Sequence, residues 1–339
     1  MNRNGTLSAE KTAATRKRRL LSFLIALNVA FLLALWVVET YVAERHRSTT
    51  FLTYMPQQVF GIPTLLLMLW AIFRREWKAA LSSIVTFVLF AFYFLGLNVP
   101  LPAASTPVGT PLRVMTYNIL YGRVSARQMA KLAKQQQVDV FCLQEAIGNG
   151  GRKGPATQLW LLLPGWHLAR SGEFATFSRY PIVSKRVHAT SSDDGRGILE
   201  TAIVVEGQRL TIFNVHFSNS LSNDSASSKN PISRDAMEMR MEQLNDLLRA
   251  TQAATAPFII MGDFNTPPRG RIYRRLDSQF QDAFRAAGWG LGYTYRSNLP
   301  LLRIDYVFTS PEMHVSRCFV PKAKASDHSP VVAELVLPR

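Results

Sequence analysis

Polar residues suited to acid–base chemistry and metal binding stand at the ends of several apolar runs in this 339-residue sequence. The runs are rich in β-branched and aromatic residues, a composition typical of buried strands. The polar residues, in chain order, are Asn118, Gln144, Glu145, Asn214, His216, Asp263, Asn265, Asp305, Asp327 and His328. Because α/β enzymes place their chemistry at strand ends, the repetition of this pattern predicts one composite site.

Each of these residues alone has an ordinary structural explanation. A single Asn or Asp at a strand end usually forms a turn. His216 alone could be a hydrogen-bonded core histidine, and Glu145 alone could be a solvated strand end. Four carboxylates and two histidines in equivalent positions are harder to explain in this way, and together they favour a catalytic site.

The two cysteines, Cys142 and Cys318, do not suggest a zinc site, because no Cys/His pair has ligand spacing. Cys142 lies within an apolar run and is expected to be a small buried hydrophobic residue. In an exported domain the two thiols could be oxidised to a disulfide, and the sequence leaves that question open.

The elements that must position these residues lie in Leu112–Arg339. Strand-like and helical patterns are mixed there, which predicts an α/β, sandwich-like enzyme fold. The strand-like runs are LRVMTYNIL, VDVFCLQ, LTIFNVHF, PFIIMGDF, IDYVFTS and VVAELVL. Apolar spacing predicts helices over Ser125–Gln137 and Ser233–Thr255. The Ser- and Asn-rich stretch Ser218–Ser233 predicts a long surface loop.

The first hundred residues differ from the rest in composition. Three runs lack charged residues, namely Leu20–Val38, Met55–Phe73 and Ala79–Val99. Because a helix needs about 20 apolar residues to cross a bilayer, these runs predict three transmembrane α-helices in a membrane module of residues 1–99. Buried helices of a soluble protein seldom lack charge over this length. A cleaved signal peptide is also disfavoured, since the first run is long and no A-x-A site follows it.

Basic residues flank these runs unequally. The tail before the first run has six Lys or Arg residues and the segment after the second has three, whereas Glu39–Tyr54 has two basic and two acidic residues. The positive-inside rule therefore predicts a multi-pass protein of the cytoplasmic membrane with a cytoplasmic N-terminus. Three crossings would place the next domain on the extracytoplasmic side. The Pro-rich segment 100–111 predicts a semi-rigid linker that reaches roughly 35 Å.

The motifs, taken in order, resemble a known superfamily. YN, QE, SRYPI, NVH, GDFN, RIDY and SDHSP follow one another across about Leu112–Leu337. This set is similar to the endonuclease/exonuclease/phosphatase superfamily, which includes DNase I. The resemblance implies a four-layer DNase I-like α/β sandwich over residues 112–339, preceded here by the three transmembrane helices. It also implies hydrolysis of phosphate esters with a divalent metal ion.

The resemblance further implies a role for individual residues. The metal-site positions are Asn118, Glu145 and Asp327, with Glu145 as the direct ligand of Mg²⁺, for which Mn²⁺ could substitute. The expected catalytic residues are His216, Asp263, Asn265, Asp305 and His328. The expected substrate-binding residues are Asn214 and Asn219, the second by a looser match.

The expected catalytic roles follow general phosphoryl chemistry. Asp263 would position or deprotonate the attacking water, and Asn265 would hold a phosphate oxygen or the nucleophile. His216 would act as a general acid near the leaving group. His328 would contact the scissile phosphate, with Asp305 as its carboxylate partner.

Three further arginines lie near these motifs or on the predicted helices. Arg234 and Arg240 on the second predicted helix could reach a phosphate, although a solvated or salt-bridged helix face is the simpler expectation. Arg179 in FATFSRYPI fits a strand-turn motif of the superfamily and is expected to be structural.

The net charge of +16 divides between the two parts of the chain. Residues 1–104 have 11 basic and 4 acidic residues, a net charge of +7, and residues 105–339 have 28 and 19, a net charge of +9. The first charge is a topological signal, whereas the second suits an anionic partner such as a nucleic acid, a phospholipid or the membrane surface.

Three functions remain open on this basis. The first is a membrane-anchored phosphoesterase that acts on a lipid-linked phosphate, a pyrophosphate or a phospholipid, with the lipid bilayer as its partner. The arrangement of three helices followed by an outward-facing domain resembles that of bacterial superfamily members associated with glycopeptide resistance. The second is an extracytoplasmic DNase I-like nuclease. The third is a non-catalytic phosphate-binding module, which is disfavoured because every position that carries chemistry is filled. No obligate protein partner is evident.

Overall fold

Two six-stranded β-sheets form the C-terminal part of the protein, and helices form its N-terminal part. The computed structural model describes residues 3–101, 108–147, 154–188, 196–219, 234–255 and 257–338. The helices are α1 (Arg3–Val37), α2 (Arg47–Tyr54), α3 (Gln58–Phe73), α4 (Trp77–Tyr93), α5 (Ala126–Gln135), α6 (Pro155–Leu161), α7 (Arg234–Ala253), α8 (Arg271–Asp277) and α9 (Ala283–Ala287). The strands are β1 (Gly109–Asn118), β2 (Val140–Gln144), β3 (His167–Ser171), β4 (Phe174–Ser178), β5 (Ile182–His188), β6 (Gly197–Val205), β7 (Gln208–His216), β8 (Phe258–Asp263), β9 (Gln281–Asp282), β10 (Asp305–Thr309), β11 (His314–Phe319) and β12 (Val331–Pro338).

Each sheet has one parallel strand pair near its centre. The first sheet has the order β11–β12–β1–β2–β4–β3, and β1 runs parallel to β2. The second sheet has the order β5–β6–β7–β8–β10–β9, and β7 runs parallel to β8. The other neighbouring pairs in both sheets are antiparallel. Each parallel pair brings two carboxyl ends together at one edge of its sheet.

Apolar side chains on alternate faces of the strands build four layers. Val114 and Ile259 belong to the core cluster between the two sheets. On its outer face, the first sheet packs against α5 and α6, as shown by the cluster that contains Phe141 and Met129. On its outer face, the second sheet packs against α7 and α8, in the cluster that contains Leu244. The predicted α/β two-sheet sandwich is therefore confirmed.

The predicted strands and helices are present, but the structure also contains strands and helices that the sequence patterns did not predict. The six strand-like runs became β1, β2, β7, β8, β10 and β12, and the two helical patterns became α5 and α7. Strand β5, with the sequence IVSKRVH, has no apolar run because most of its residues are exposed. Strand β1 begins at Gly109, within the predicted linker. Half of that linker, residues 102–107, and all but two residues of the predicted loop Ser218–Ser233 lie outside the described residues.

The N-terminal module consists of α1 to α4. Helix α1 continues through a π-helical stretch, Val38–Val42, and a 3₁₀ turn, Ala43–Arg45. Helices α3 and α4 pack together and against α1, and Leu21, Ala71 and Ala80 form one of the small apolar clusters between them. Large apolar side chains on the outward faces of these helices are exposed.

Only part of the predicted membrane topology has support in the helices. Among the described residues one helix, Thr12–Arg45, is long and apolar enough to cross a membrane. Ser48–Tyr54 and Gln58–Phe73 reach that length only as a pair bent by 68°, and Trp77–Tyr93 is apolar but shorter. Three separate spanning helices are therefore not shown. The second and third apolar runs extend beyond α3 and α4 because Pro56 precedes α3 and Gly96, with φ of 71°, follows α4.

Candidate active site

Strand register in the second sheet aligns three of the predicted catalytic residues. His216 on β7 stands opposite Asp263 on β8, and Asp263 stands opposite Asp305 on β10. Gly262 makes this pairing possible, because a Cβ atom at that position would lie 1.9 Å from the carbonyl oxygen of Val215. The glycine of the GDFN motif is therefore required by the close approach of two strands.

The first sheet faces this row with Asn118 and Glu145, which stand at the ends of β1 and β2. The Asn118 amide nitrogen donates to Glu145 Oε1 at 3.1 Å and to Asp263 Oδ2 at 3.0 Å. Its amide oxygen accepts the Leu120 N–H at 3.0 Å. In this orientation Asn118 joins carboxylates from both sheets through its NH₂ group, and its oxygen is directed away from them.

Asp263 lies at the centre of the site and is 1% exposed. Its Oδ1 accepts the Asn265 N–H at 2.9 Å, and its Oδ2 lies 3.6 Å from Nε2 of both His216 and His328. Burial alone would raise the pKa of Asp263. The two histidines and the hydrogen bonds from Asn265 and Asn118 outweigh burial and hold that pKa below its ordinary value. Asp263 is therefore an anion that can orient a water molecule.

His328 and Asp305 form a buried hydrogen-bonded pair. Nδ1 of His328 lies 2.9 Å from Oδ2 and 3.1 Å from Oδ1 of Asp305. Burial disfavours the charged ring, but Asp305 and Asp263 outweigh it and raise the pKa of His328 to about 10. Burial raises the pKa of Asp305, and His328 opposes that effect. The ring is therefore an imidazolium that can stabilise negative charge on a substrate.

His216 has a partner that the sequence analysis did not find. Its Nδ1 lies 2.9 Å from Oε1 of Glu173, in the turn between β3 and β4. Its Nε2 has no hydrogen-bond partner among the described residues and lies 3.6 Å from Asp263 Oδ2 and 3.9 Å from Glu145 Oε1. Glu173 ends no apolar run, so the strand-end pattern gave no signal for it. The geometry leaves Nε2 available for proton transfer.

Glu145 has the environment of a metal ligand. It is 7% exposed, and within the described part of the chain its Oε2 has no hydrogen-bond partner. Its backbone is in the left-handed region, with φ of 53°, a strained conformation that often occurs at functional sites. A buried carboxylate oxygen without a partner is unfavourable, and a divalent cation with oxygen ligands would satisfy it. The residues present therefore fit such a cation at Glu145.

A second cluster could also be considered for a metal ion. Asp263, Asp305 and His328 each place one potential ligand atom within 4.8 Å of the others. However, a protonated imidazole has no free lone pair for a metal, and Nδ1 of His328 is already bonded to Asp305. Of the two positions, Glu145, whose Oε2 has no hydrogen-bond partner among the described residues, is the better candidate for a cation ligand.

An open cleft of about 920 Å³ joins these groups. The predicted site residues that line it are Glu145, Asn219, Asp263, Asn265, Asp327 and His328. Asp327 is half-buried, and its backbone carbonyl accepts the Ser297 N–H at 2.7 Å. Arg196 also lines the cleft and was not predicted. The structure thus brings both predicted metal-site carboxylates and a positive side chain to one cleft.

Asn214 is not at this cleft, contrary to expectation. It is fully buried between the sheets, where its Oδ1 accepts from Gln144 at 2.7 Å. Its Nδ2 donates to the carbonyl oxygens of Leu143 and Ala175, at 3.1 and 3.2 Å. All of these bonds cross from one sheet to the other, so Asn214 has a structural role and cannot bind substrate.

Arg240 also differs from expectation. It is fully buried rather than on a solvated helix face. Its guanidinium donates to the hydroxyl of Tyr54 and to the backbone carbonyl of Asn265. Tyr54 and Pro56, both from the N-terminal module, line the cleft beside the catalytic residues. Sequence patterns gave no signal for these two residues, because neither belongs to a catalytic motif.

Comparisons with known proteins agree with this geometry. A family model described as "Endonuclease/Exonuclease/phosphatase family" matches residues 115–328. A solved structure of an endonuclease/exonuclease/phosphatase family protein from Bacteroides thetaiotaomicron is similar, with 19% identity and a TM-score of 0.53 over 68% of this chain and 97% of that chain. No curated protein matches the chain significantly.

Two further solved structures have the same fold. A mannosyl-6-phosphatase from Bacteroides thetaiotaomicron is 19% identical, with a TM-score of 0.51 over 67% of this chain and 100% of that chain. An AP endonuclease from Archaeoglobus fulgidus is 18% identical, with a TM-score of 0.51 over 66% of this chain and 98% of that chain. At these identities the similarity shows the fold alone.

The family match extends from β1 to His328, over more than half of the chain, and includes the predicted catalytic residues that line the cleft. Members of the family are hydrolases that act on phosphate esters. This chain belongs to the endonuclease/exonuclease/phosphatase family.

Proposed function

We propose that this protein is a membrane-anchored, Mg²⁺-dependent phosphoesterase. Its substrate would be a lipid-linked phosphate, a pyrophosphate or a phospholipid on the outer side of the cytoplasmic membrane. The observation that carries this proposal is the composition of the cleft, where Tyr54 and Pro56 of the apolar N-terminal module stand beside Asp263 and His328. A phosphate group in this cleft would lie next to the helices that we place in the bilayer.

The roles of the side chains follow from their contacts. Asp263 holds the attacking water and accepts its proton as oxygen attacks phosphorus. His328, kept charged by Asp305, stabilises the negative charge that develops on the phosphate. His216 is oriented by Glu173 and gives the proton on Nε2 to the leaving oxygen as the P–O bond breaks. Both protons are thereby accounted for: the proton taken from water resides on Asp263, and the proton given by His216 leaves on the product alcohol, or on the leaving phosphate of a pyrophosphate, while the hydrolysed phosphoryl group departs as a phosphate anion.

Mg²⁺ would be held by Glu145, with Asp327 in the same cleft as the second carboxylate. When bound, the ion would neutralise charge on a phosphate oxygen. The unpartnered Oε2 atom of Glu145 supports this position. Asn118 would keep the Glu145 side chain oriented through the hydrogen bond to its Oε1.

Several features of the N-terminal module support a position in the bilayer. Helix α1 presents large exposed apolar side chains such as Phe23, Leu27 and Leu33, which are unfavourable in water. The amide of buried Asn28 donates to Thr64 at 2.9 Å, which is the type of polar contact that joins helices in membranes. We place α1 across the bilayer and the α3–α4 pair beside it.

The distribution of charge supports an outward-facing catalytic domain. Arg18 near the start of the apolar part of α1 pairs with Glu76 in the turn between α3 and α4, at 3.3 Å. The basic tail and the basic turn therefore lie at one end of the module. The catalytic domain contacts the opposite end, for example where Tyr293 donates to the carbonyl of Leu95. By the positive-inside rule, the basic end would be cytoplasmic.

The substrate class is tested with the full-length chain in phospholipid nanodiscs or detergent. Hydrolysis is measured with Mg²⁺ against polyprenyl pyrophosphate, phospholipids and plasmid DNA. Release of phosphate or headgroup from a lipid would support the proposal. Cleavage of plasmid DNA alone would establish the nuclease alternative instead.

Active-site variants show whether the observed activity belongs to this site. Asp263→Asn and His328→Ala should each lower hydrolysis by at least about 100-fold. His167→Ala is the matched control, because His167 is exposed and far from the cleft residues in the sheet. Activity that survives both active-site changes would show that the site assignment is wrong.

Topology requires a separate measurement. A reporter enzyme fused after the last residue should be active only outside the cytoplasm. A reporter that is active only in the cytoplasm would overturn the proposed orientation and leave the chemistry of the site untouched.

A further inference from the structure

The loop that follows Asp263 connects the catalytic domain to the N-terminal module. We call residues 264–271 the docking loop. It contains Asn265, whose backbone is in the left-handed region with φ of 47°. This region is uncommon for residues other than glycine, although asparagine adopts it more readily than most, and hydrogen bonds to neighbouring groups hold the conformation here. The side chain of Asn265 donates to the carbonyl of Phe217 at 2.9 Å, and its N–H donates to Asp263.

Arg240 on α7 donates hydrogen bonds to the docking loop. Its guanidinium donates to the carbonyl oxygen of Asn265 at 2.9 Å and to Oγ1 of Thr266 at 2.6 Å. A third bond goes to the carbonyl oxygen of Phe264 at 3.3 Å. These acceptors are neutral, although Arg240 is a fully buried cation. Nε of Arg240 has no hydrogen-bond partner among the described residues, so the buried cation depends on the few bonds that its Nη1 and Nη2 groups make, and losing one of them should weaken the rest of the network.

The remaining acceptor of Arg240 belongs to the N-terminal module. The hydroxyl of Tyr54 accepts from Arg240, and the Arg240 guanidinium also lies 5.4 Å from the centre of the Tyr54 ring. The same hydroxyl lies 3.1 Å from Oε1 of Glu44, to which it donates. The other carboxylate oxygen of Glu44 accepts the backbone N–H of Arg271. The Tyr54 hydroxyl also lies 3.2 Å from Oγ1 of Thr266, so Tyr54 contacts the first part of the docking loop and Glu44 binds its last residue.

A buried ion pair reinforces this connection. Arg269 in the docking loop is 8% exposed, and its Nε lies 3.4 Å from Oε2 of the fully buried Glu39. Arg269 also donates to the carbonyl oxygens of Phe94 and Thr53, at 2.7 and 3.3 Å. Removing the module would leave these charged and polar groups without partners. The module and the docking loop therefore share one buried interface of ion-paired and hydrogen-bonded groups.

From these contacts we propose that the N-terminal module is part of the catalytic apparatus as well as an anchor, because the Tyr54–Arg240 contact positions Asn265 beside Asp263. Arg240 and Tyr54 are thus positioning residues, which act through the docking loop. Their effect on turnover rests on the proposed function of the cleft, whereas their effect on the loop does not. The catalytic domain alone, without residues 1–99, should be poorly active.

Hydrogen–deuterium exchange of the full-length chain tests the loop directly. Tyr54→Phe removes only the hydroxyl and keeps the ring. Peptides that cover residues 264–271 should exchange about tenfold faster in this variant, while peptides from β2 stay unchanged. Tyr41→Phe is the matched control, since Tyr41 lies in the same module and is 63% exposed. Exchange of the docking loop within twofold of the wild type would overturn the proposal.

Kinetic measurements distinguish a loss of positioning, which lowers kcat, from a loss of stability, which lowers the amount of folded protein. With bis(p-nitrophenyl) phosphate as a soluble substrate, Tyr54→Phe should lower kcat per folded molecule about tenfold and leave KM nearly unchanged. Arg240→Met should have a similar effect, and the double variant should be no worse than the more damaged single variant. Additive losses, or an unchanged kcat with fewer folded molecules, would contradict a positioning role.

The two proposals can fail independently. If the wild type hydrolyses no phosphate ester, the proposed function fails, and the exchange measurement still decides whether the module positions the docking loop. If the wild type is active but Tyr54→Phe changes neither exchange nor kcat, only the positioning proposal fails.

Discussion

Replacement of Glu145 by glutamine tests the idea that this residue binds a cation. Glu145 is 7% exposed, its Oε1 accepts one hydrogen bond from Asn118 at 3.1 Å, and its Oε2 has no partner among the described residues. Glutamine has nearly the same shape and no charge. Without metal, Glu145→Gln should therefore stabilise the protein, whereas loss of an ordinary hydrogen-bonded residue would destabilise it.

The size of the effect can be worked out from the burial of this group. An unpaired buried acceptor costs about 1–3 kcal/mol and more when it is charged; Glu145→Gln keeps a polar group at this position but removes the uncompensated charge, which should recover an amount of this order. For a domain of this size each kcal/mol raises the unfolding midpoint by about 2–4 °C, so the expected rise is roughly 2–12 °C. A cation at about 100 times its Kd stabilises the wild type by about 2.7 kcal/mol, which should raise its midpoint by a similar amount. The variant should lose that second rise.

The assay is thermal unfolding of the full-length chain in detergent, with EDTA and with increasing Mg²⁺. Glu312→Gln is the matched control, because Glu312 is exposed in the turn before β11 and should change neither midpoint. The reasoning is refuted if Glu145→Gln lowers the midpoint in EDTA and Mg²⁺ still raises the midpoint of the variant as much as that of the wild type.

Three further changes test other parts of the structure. Asp305→Asn removes the carboxylate that orients the ring of His328, so kcat should fall about 100-fold at neutral pH with an unchanged circular dichroism spectrum; a loss of less than threefold would argue against the pair. Gly262→Ala places a Cβ atom 1.9 Å from the carbonyl oxygen of Val215, so the unfolding free energy should drop by about 3 kcal/mol or more, and a stable variant would contradict the strand packing. Burial raises the pKa of the Cys142 thiol to about 12, so this thiol should stay protonated and resist a thiol reagent at pH 8 until urea unfolds the protein; rapid labelling of the native state would show that it is accessible.

The dependence of the docking loop on the N-terminal module has a practical consequence. A fragment that begins after the linker would expose Arg240 and Arg269, which are buried against the module in the intact chain. Such a fragment is therefore a poor substitute for the full-length protein in assays of activity. The same contacts suggest that detergents that loosen the helices would lower activity before the sandwich unfolds.

Residues at strand ends were the most predictable part of the site. Asp263 and His216 follow long apolar runs, and the parallel pairing of β7 and β8 brings such positions together. The predicted pairing of His328 with Asp305 also has its counterpart in the structure. These residues could be found from sequence because both the strand and its end leave a pattern along the chain.

Other residues could not be found in this way. Glu173 lies in a turn between two short strands, and Tyr54 lies in a helix that precedes the domain. Each meets the site only through contacts that are distant in sequence, so no local pattern marks it. Asn214 shows the opposite error, because it stands at a strand end like a site residue but faces the other sheet.

The sequence by itself determined the α/β class, the positions of the strands that end at the candidate site and the apolar character of the first hundred residues. Periodicity and composition are local properties, and they are enough to specify strands, helices and strand ends. Only the tertiary structure decided which polar residues face the cleft, that Glu173 orients His216, and that Tyr54 and Arg240 tie the module to the docking loop. These facts depend on which face of each strand or helix meets its neighbour, and that is settled when the sheets and the module pack together.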